Sequence, residues 1–367
     1  MNQQYLAKNQ FYQLIQALRD HGYAVLGPQV RDKAIVYEHI DKPEQFPIGV
    51  SDTQAPGQYI LNETPNGNWF AWANGPQALK PLVFASQERL WSAHRSDSHD
   101  IQFEQTLPDV TPTAIIGVRA CDLAALKIQD QHFLEQTYQD PYYQKRRQAL
   151  LLIAVNCSHP ASTCFCVATG DGPEARAHYD LVLTELADGF LVLPGSDKGQ
   201  TICASLDLEP MTASQQQQQQ TQLTQAIEQQ KRSLPEVELQ CKLLNALEHP
   251  HWDDIAKRCL ACGNCTAVCP TCFCHSEHDQ PATSLSSTEH VRQWDSCFNH
   301  EHSYIHGIVI RSESKTRYRQ WLTHKFASWH EQYGRSGCVG CGRCISWCPV
   351  GIDVTTELAV LCGDICE

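Results

Sequence analysis

The chain has 367 residues, 42% of them hydrophobic and 19% charged, with a formal net charge of −13. That length supplies two or three domains with a real core, and that composition excludes a disordered chain. The negative balance argues against nucleic-acid binding through bulk electrostatics, and no apolar run approaches the roughly 20 residues of a bilayer span. The nineteen cysteines sit mostly at metal-ligand spacings, which favours a reducing compartment over a disulfide framework. Met1-Asn-Gln-Gln-Tyr5 has no basic region ahead of an apolar core. No secretion signal is therefore expected, and a cytoplasmic, soluble protein is.

In chain order, residues 3–19 read as an amphipathic helix with Tyr5, Phe11, Leu14, Ile15 and Leu18 apolar, stopped by His21-Gly22. Tyr23–Leu26 and Ala34–Tyr37 read as short strands. Tyr59–Asn62 and Trp69–Trp72 flank Pro65-Asn66-Gly67 and predict a hairpin. Ala114–Val118 and Leu150–Val155 are apolar runs of the kind buried in an α/β sheet. The first leads through Arg119 to Cys121 and a helix over 123–131; the second ends at Asn156-Cys157. Active groups of open α/β sheets gather beyond the carboxyl ends of strands. Leu181–Thr184 and Phe190–Leu193 predict a second hairpin. Residues 213–232 are rich in glutamine, a fair helix former, and read as an exposed helix or linker.

Two copies of one pattern dominate the C-terminal third: Cys259-x2-Cys262-x2-Cys265-x3-Cys269-Pro270 and Cys338-x2-Cys341-x2-Cys344-x3-Cys348-Pro349. This is the run of a two-cluster [4Fe–4S] protein, in which the fourth Cys of each run ligates the other cluster. Three thiolates two residues apart fit a tight loop whose N–H groups face the sulfides. The fourth reaches the neighbour, and the proline restricts how the chain leaves. Structural zinc, which usually takes two separated Cys pairs, and buried free thiols do not account for the repeat. One set is therefore Cys259, Cys262, Cys265 and Cys348, and the other Cys338, Cys341, Cys344 and Cys269. Residues 314–333 between the runs predict a helix with Tyr318, Leu322, Phe326, Trp329 and Tyr333 on one face, read chiefly as packing around the clusters.

A third group is Cys157 with Cys164-Phe165-Cys166, to which Cys121 can add a fourth thiol. A third [4Fe–4S] cluster, a zinc site or buried apolar thiols all fit this spacing. Cys203, Cys241, Cys362 and Cys366 carry no pattern. Cys272-Phe273-Cys274 repeats 164–166, and Cys297 follows; these three read chiefly as packing, with zinc as the alternative given His275 and His278 near by. His300, His302 and His306 read as surface or core histidines. No dinucleotide-binding Gly-x-Gly-x-x-Gly, Walker loop, Cys-Cys-Gly motif or nucleophile–base pair is recognisable. The expected architecture is an N-terminal mixed α/β domain over 1–210, a Gln-rich segment over 211–248, and a mostly α-helical dicluster ferredoxin-like domain over 249–367.

The stretches 74–90, Gly117-Val-Arg-Ala-Cys-Asp-Leu-Ala-Ala-Leu126, Asn156-Cys157, Cys164-Phe-Cys166, 262–274, Trp294-Asp-Ser-Cys297 and 338–344 together resemble one family. It is the iron–sulfur beta subunit of cytoplasmic NiFe hydrogenases (sulfhydrogenases), closely related to the corresponding iron–sulfur chain of anaerobic sulfite reductase. The resemblance spans nearly the whole chain, except the glutamine run. It implies a complex with a flavin subunit that binds NAD(P)H and with hydrogenase small and large subunits. It also implies that Cys121, Cys157, Cys164 and Cys166 hold a third [4Fe–4S] cluster. The chain itself is expected to relay electrons, without catalytic residues of its own. The equivalent subunit of a sulfite reductase and a stand-alone iron–sulfur scaffold or sensor are the competing readings.

Overall fold

The computed structural model describes residues 3–96, 100–283 and 286–363. Its main element is an eight-stranded mixed sheet. From edge to edge the strands are Glu209–Pro210, Gln4–Ala7, Gly189–Pro194, Leu181–Glu185, Leu150–Val155, Thr113–Val118, Ala24–Arg31 and Ala34–His39. The four strands from Leu181–Glu185 to Ala24–Arg31 run parallel. The two at the centre are the apolar runs at 113–118 and 150–155, buried on both faces. One face is covered by helix Tyr12–Asp20 and by Trp69, Phe70 and Trp72; the other by helix Ala120–Phe133, Phe84 and Tyr143. Each Leu or Ile so buried contributes about 1.5–3 kcal/mol relative to exposure.

A second, four-stranded antiparallel sheet runs His275–Pro281, Ser287–Trp294, Gln87–Arg95, Ile101–Gln105. Two of its strands come from between the cysteine runs and two from the N-terminal half. Residues 87–105 and 275–294 thus share one ladder across the expected domain boundary. The C-terminal part has its own core, built from Trp252, Ile255, Tyr318, Trp321, Leu322, Phe326, Ile345 and Leu358.

Two expectations need correction. Residues 4–7 are a strand rather than the start of the first helix, which covers Tyr12–Asp20. The helical period is present locally, but pairing with Gly189–Pro194 satisfies the backbone of Gln4–Ala7, and tertiary context overrides propensity. The hairpin is also differently made. Gln58–Glu63 pairs with Val50–Ala55 around Pro56-Gly57, and Trp69–Trp72 is not a strand. The Trp69 and Phe70 N–H groups instead donate to the buried carboxylate of Glu185 at 2.8 and 2.9 Å, so these donors need no strand partner.

The remaining predicted elements lie near the residues that predict them, but the second sheet was not foreseen and puts the strands His275–Pro281 and Ser287–Trp294 in the part expected to be mostly α-helical. The Gln-rich segment forms helix Ala213–Gln229, opened by a reciprocal cap between Thr212 and Gln215. It is docked rather than free: Leu223 and Ala226 are buried, and Gln219 and Gln222 bond Thr184 and Glu185 of the main sheet. The aromatic helix runs through Ser314–Thr323, a π-type turn over His324–Ser328 and Trp329–Tyr333, and ends at Gly334 with φ +71°. Tyr318, Leu322 and Phe326 lie in the C-terminal core, whereas Trp329 and Tyr333 pack against Ala125 and Ile128 of helix Ala120–Phe133.

Candidate iron–sulfur sites

The two cysteine runs fold into the same loop. Ala261 and Gly263 have φ +52° and +73°; their counterparts Gly340 and Gly342 have +62° and +74°. Left-handed residues alternating with ordinary ones turn successive N–H groups to one side, making a concavity for an anion. In each loop an N–H already points at sulfur: Ala261 N donates to Cys259 Sγ and Gly340 N to Cys338 Sγ, both at 3.4 Å. The Cβ of Ala261 costs roughly 1–2 kcal/mol in this region, a strain concentrated at a thiol-binding loop. Short helices Asn264–Ala267 and Arg343–Ser346 follow and carry Cys265 and Cys344.

The fourth cysteines cross over. One pocket is lined by Cys259, Cys262 and Cys265 together with Cys348 and Cys344 of the other run. A second is lined by Cys338, Cys341 and Cys344 together with Cys269 of the first run. Trp321 and Val354 wall both pockets. Burial, and then the neighbouring thiols, push Cys265 and Cys344 well above the ordinary thiol range. Such a set ionises together only when a cation compensates it, which is what metal coordination provides.

The third group lies beside the second loop. The parallel strands ending at Val118 and Val155 place Cys121, in the first turn of helix Ala120–Phe133, and Cys157 just beyond the carboxyl ends of neighbouring strands. Arg119 lies 4.2 Å over the Trp72 ring and bonds the Phe70 and Trp72 carbonyls, with Nη1 3.9 Å from Cys157 Sγ. Cys164 Sγ is 3.9 Å from the Cys341 carbonyl oxygen, and Phe165 N donates to Gly340 O at 2.8 Å. A Cβ on Gly340 would stand 2.5 Å from Phe165, and one on Gly342 2.5 Å from the Thr163 carbonyl oxygen. Burial raises all four thiols, Cys166 to about 12, and the charges of Cys157, Cys166 and Cys341 act on others of the set. The Gln230 side chain, at the end of the Gln-rich segment, donates to Cys166 Sγ at 3.3 Å. Composition alone had given that segment no part in any site.

Cys272, Cys274 and Cys297 also gather. Cys272 is in hydrogen-bond contact with Cys269, and Cys274 with both Cys297 and His302. The bond from Cys297 holds the Cys274 thiol down at about 4, and the bond to Cys274 lifts His302 to about 9. His300 and His306 are exposed, Cys203 and Cys362 are buried away from these groups, and Cys366 lies outside the described residues. None of the eighteen described cysteines is in a disulfide. Among the described residues no three His, Cys, Asp or Glu side chains are arranged to hold a single metal ion.

A family model described as a 4Fe-4S dicluster domain matches residues 258–352. The chain is also 32% identical over 244 residues to sulfhydrogenase 2 subunit beta of Pyrococcus furiosus, across 65% of this chain and 71% of that protein. The chain belongs to the sulfhydrogenase beta subunit family. As a sulfhydrogenase beta-type chain it is an iron–sulfur electron-transfer subunit carrying [4Fe–4S] clusters. No helix among the described residues is long and apolar enough to cross a membrane.

The residues present fit such clusters electrostatically. A [4Fe–4S] unit with four thiolates is an anion, and buried cations stand beside the sulfhydrogenase-type loops. Lys325 is 4% exposed, with Nζ 2.8 Å from Thr271 Oγ1 and 3.3 Å from Gly337 O. Burial opposes its charge, yet Cys269, Cys272 and Cys338 hold its pKa above the ordinary lysine value. Lys80 caps the carbonyls of Thr266, Ala267 and Cys269 and lies 4.1 Å over the Trp294 ring. Neither lysine has an ion-pair partner among the described side chains, and an unpaired buried ammonium is costly.

Proposed function

We propose that this chain relays single electrons between a flavin subunit that binds NAD(P)H and the small and large subunits of a cytoplasmic NiFe hydrogenase. Cys259, Cys262, Cys265 and Cys348 hold one [4Fe–4S] cluster. Cys338, Cys341, Cys344 and Cys269 hold a second, and Cys121, Cys157, Cys164 and Cys166 a third. A bound cluster supplies reversible one-electron storage, at a potential set by net charge, hydrogen bonds to sulfur and exposure.

The observation that carries this reading is the contiguity of the thiol groups. Cys344 and Trp321 line both ferredoxin-type pockets, and Cys164 touches the backbone of Cys341. A row of adjoining sites suits passage of electrons rather than storage at one point. The chain's own groups do three things there. The turned N–H groups of 261 and 340 bond sulfur, Lys325 offsets negative charge, and Trp321, Phe326 and Phe165 exclude water. Kinship with a sulfhydrogenase beta chain supports hydrogenase partners.

The test uses the assembled complex. Cys341→Ser replaces a thiolate with a harder, weaker iron ligand. Electron flow from NAD(P)H should fall steeply, while hydrogenase activity with a dye that reacts at the catalytic half survives. Equal loss of both in an intact complex, or loss of neither, would overturn the relay position. Nickel is expected in that complex; sirohaem in its place would move the chain to sulfite reduction.

A further inference from the structure

Thr271-Cys272-Phe273-Cys274 is left over by the ferredoxin runs and repeats Thr163-Cys164-Phe165-Cys166 residue for residue. The structure extends the repetition to docking. Thr163 and Thr271 are both fully buried. The Thr163 hydroxyl bonds Ser346 Oγ at 2.8 Å, and its carbonyl abuts Gly342. The Thr271 hydroxyl donates to Gly337 O at 2.7 Å. The two segments therefore grip opposite ends of one loop, 337–342, which carries Cys338 and Cys341.

The second segment has its own further donors. In the hairpin 275–294, His275 pairs with Trp294, and Asp295 N donates to Cys274 O at 3.0 Å. Cys274 and Cys297 consequently stand at the same open end of that hairpin. His302 arrives from the following turn, with Nδ1 2.9 Å from the Asp295 carboxylate. That bond leaves Nε2 for the thiols. A carboxylate that orients one imidazole nitrogen while the other faces a metal site is a recurrent second layer of metal-bound histidines.

We propose that Cys272, Cys274, Cys297 and His302 hold an iron–sulfur cluster additional to those assigned above, with Asp295 as the positioning residue for His302. Three thiols and an imidazole exceed what a disulfide uses. An open cleft lined by Lys80, Cys262, Cys272, Cys274, Trp294 and Asp295 adjoins them. Lys80 and Lys325 both face Cys272 and lack ion-pair partners among the described side chains; burial holds the Lys80 ammonium below the ordinary lysine range, and an anionic group beside it would offset that cost. The centre would lie between Cys262 of one ferredoxin loop and Cys269, which serves the other. Replacement of Cys ligands by His raises a cluster's potential, so this centre is the more readily reduced one of the chain.

The experiment is iron and acid-labile sulfide analysis with an electron paramagnetic resonance redox titration of the full chain, reconstituted anaerobically. The probes are Cys274→Ser/Cys297→Ser, Cys164→Ser/Cys166→Ser and His302→Cys. The first double variant should lose about four irons, one cluster's worth, and one reduction step. The second should lose a different step, so that failure of the third-cluster assignment is told apart from failure of this one. His302→Cys should keep its iron and lower one potential. Parent-like iron content and steps in Cys274→Ser/Cys297→Ser, or zinc in the parent at these residues, overturn the proposal. Should that double variant not fold, His302→Cys decides: unchanged potentials at every centre also overturn it.

Discussion

The ammonium of Lys325 lies 2.8 Å from the hydroxyl of Thr271, deep in the protein and between the first-run Cys269 and the second-run Cys338. The hydroxyl in turn donates to Gly337 O and contacts Cys269 Sγ at 3.2 Å. A buried lysine is thus pinned where two cysteine runs meet, and its charge is available to whatever anion they hold.

Lys325→Met should lower the potential of the cluster at Cys338, Cys341, Cys344 and Cys269. Reduction adds negative charge, and a buried cation beside Cys269 and Cys338 is gone. A tenfold change in the one-electron equilibrium is about 59 mV, and a shift of at least that order is expected in a redox titration. An unchanged potential would show that Lys325 serves packing alone.

The crossed pockets make a mapping prediction. Cys348→Ala should release the thiols of Cys259, Cys262 and Cys265 to alkylation while Cys338, Cys341 and Cys344 stay protected. Mass spectrometry of alkylated peptides reads this directly. Exposure of the second-run cysteines instead would refute the exchange of fourth ligands.

Gly340→Ala should destabilise the reconstituted chain by roughly 2–4 kcal/mol, combining a left-handed φ with overpacking against Phe165. Gly334→Ala has a similar φ, +71°, but nothing within 4 Å of its Cβ. It should cost only about 1 kcal/mol. Denaturant midpoints compare the two; equal effects would mean that Phe165 gives way.

His132 offers a pH test. Its ring stacks on Phe273 at 3.8 Å, and its Nδ1 shares a hydrogen bond with the Tyr333 hydroxyl at 2.7 Å. Burial, and secondarily the charge of His275, hold its pKa down at about 4. The unfolded imidazole takes a proton from pH 6.5 downward while the folded one does not. This contribution to stability is therefore complete above pH 6.5 and is lost as pH falls towards 4. After allowance for solvent screening the effect is about 1–2 kcal/mol. His132→Phe should flatten the stability difference between about pH 7 and about pH 5 relative to the parent; an identical slope would exclude His132 as its source.

Much of this protein was readable along the chain because its signals are local. The Cys-x2-Cys-x2-Cys spacing sets the reach of one loop, and the apolar runs at 114–118 and 150–155 can only be buried strands or helices. The Asn66-Gly67 turn misled because Trp69 and Phe70 bond Glu185, more than a hundred residues away, a partner no local pattern announces. The start of the first helix misled for the same reason, since Gln4–Ala7 is claimed by a strand near residue 190.

Residue spacing by itself determined that two ferredoxin-like loops form, since steric limits and turn preferences act within a few residues. The same spacing predicted that Cys348 joins the first run and Cys269 the second, and the pocket linings agree; only the tertiary structure set Cys164 against Cys341. It alone placed His302 and Asp295 beside Cys274, through closure of the 275–294 hairpin, and brought Lys325 to Thr271. Those meetings depend on sheet pairing and core packing between distant segments, and the free energy that selects them comes from burial shared by the whole fold rather than from any one stretch of residues.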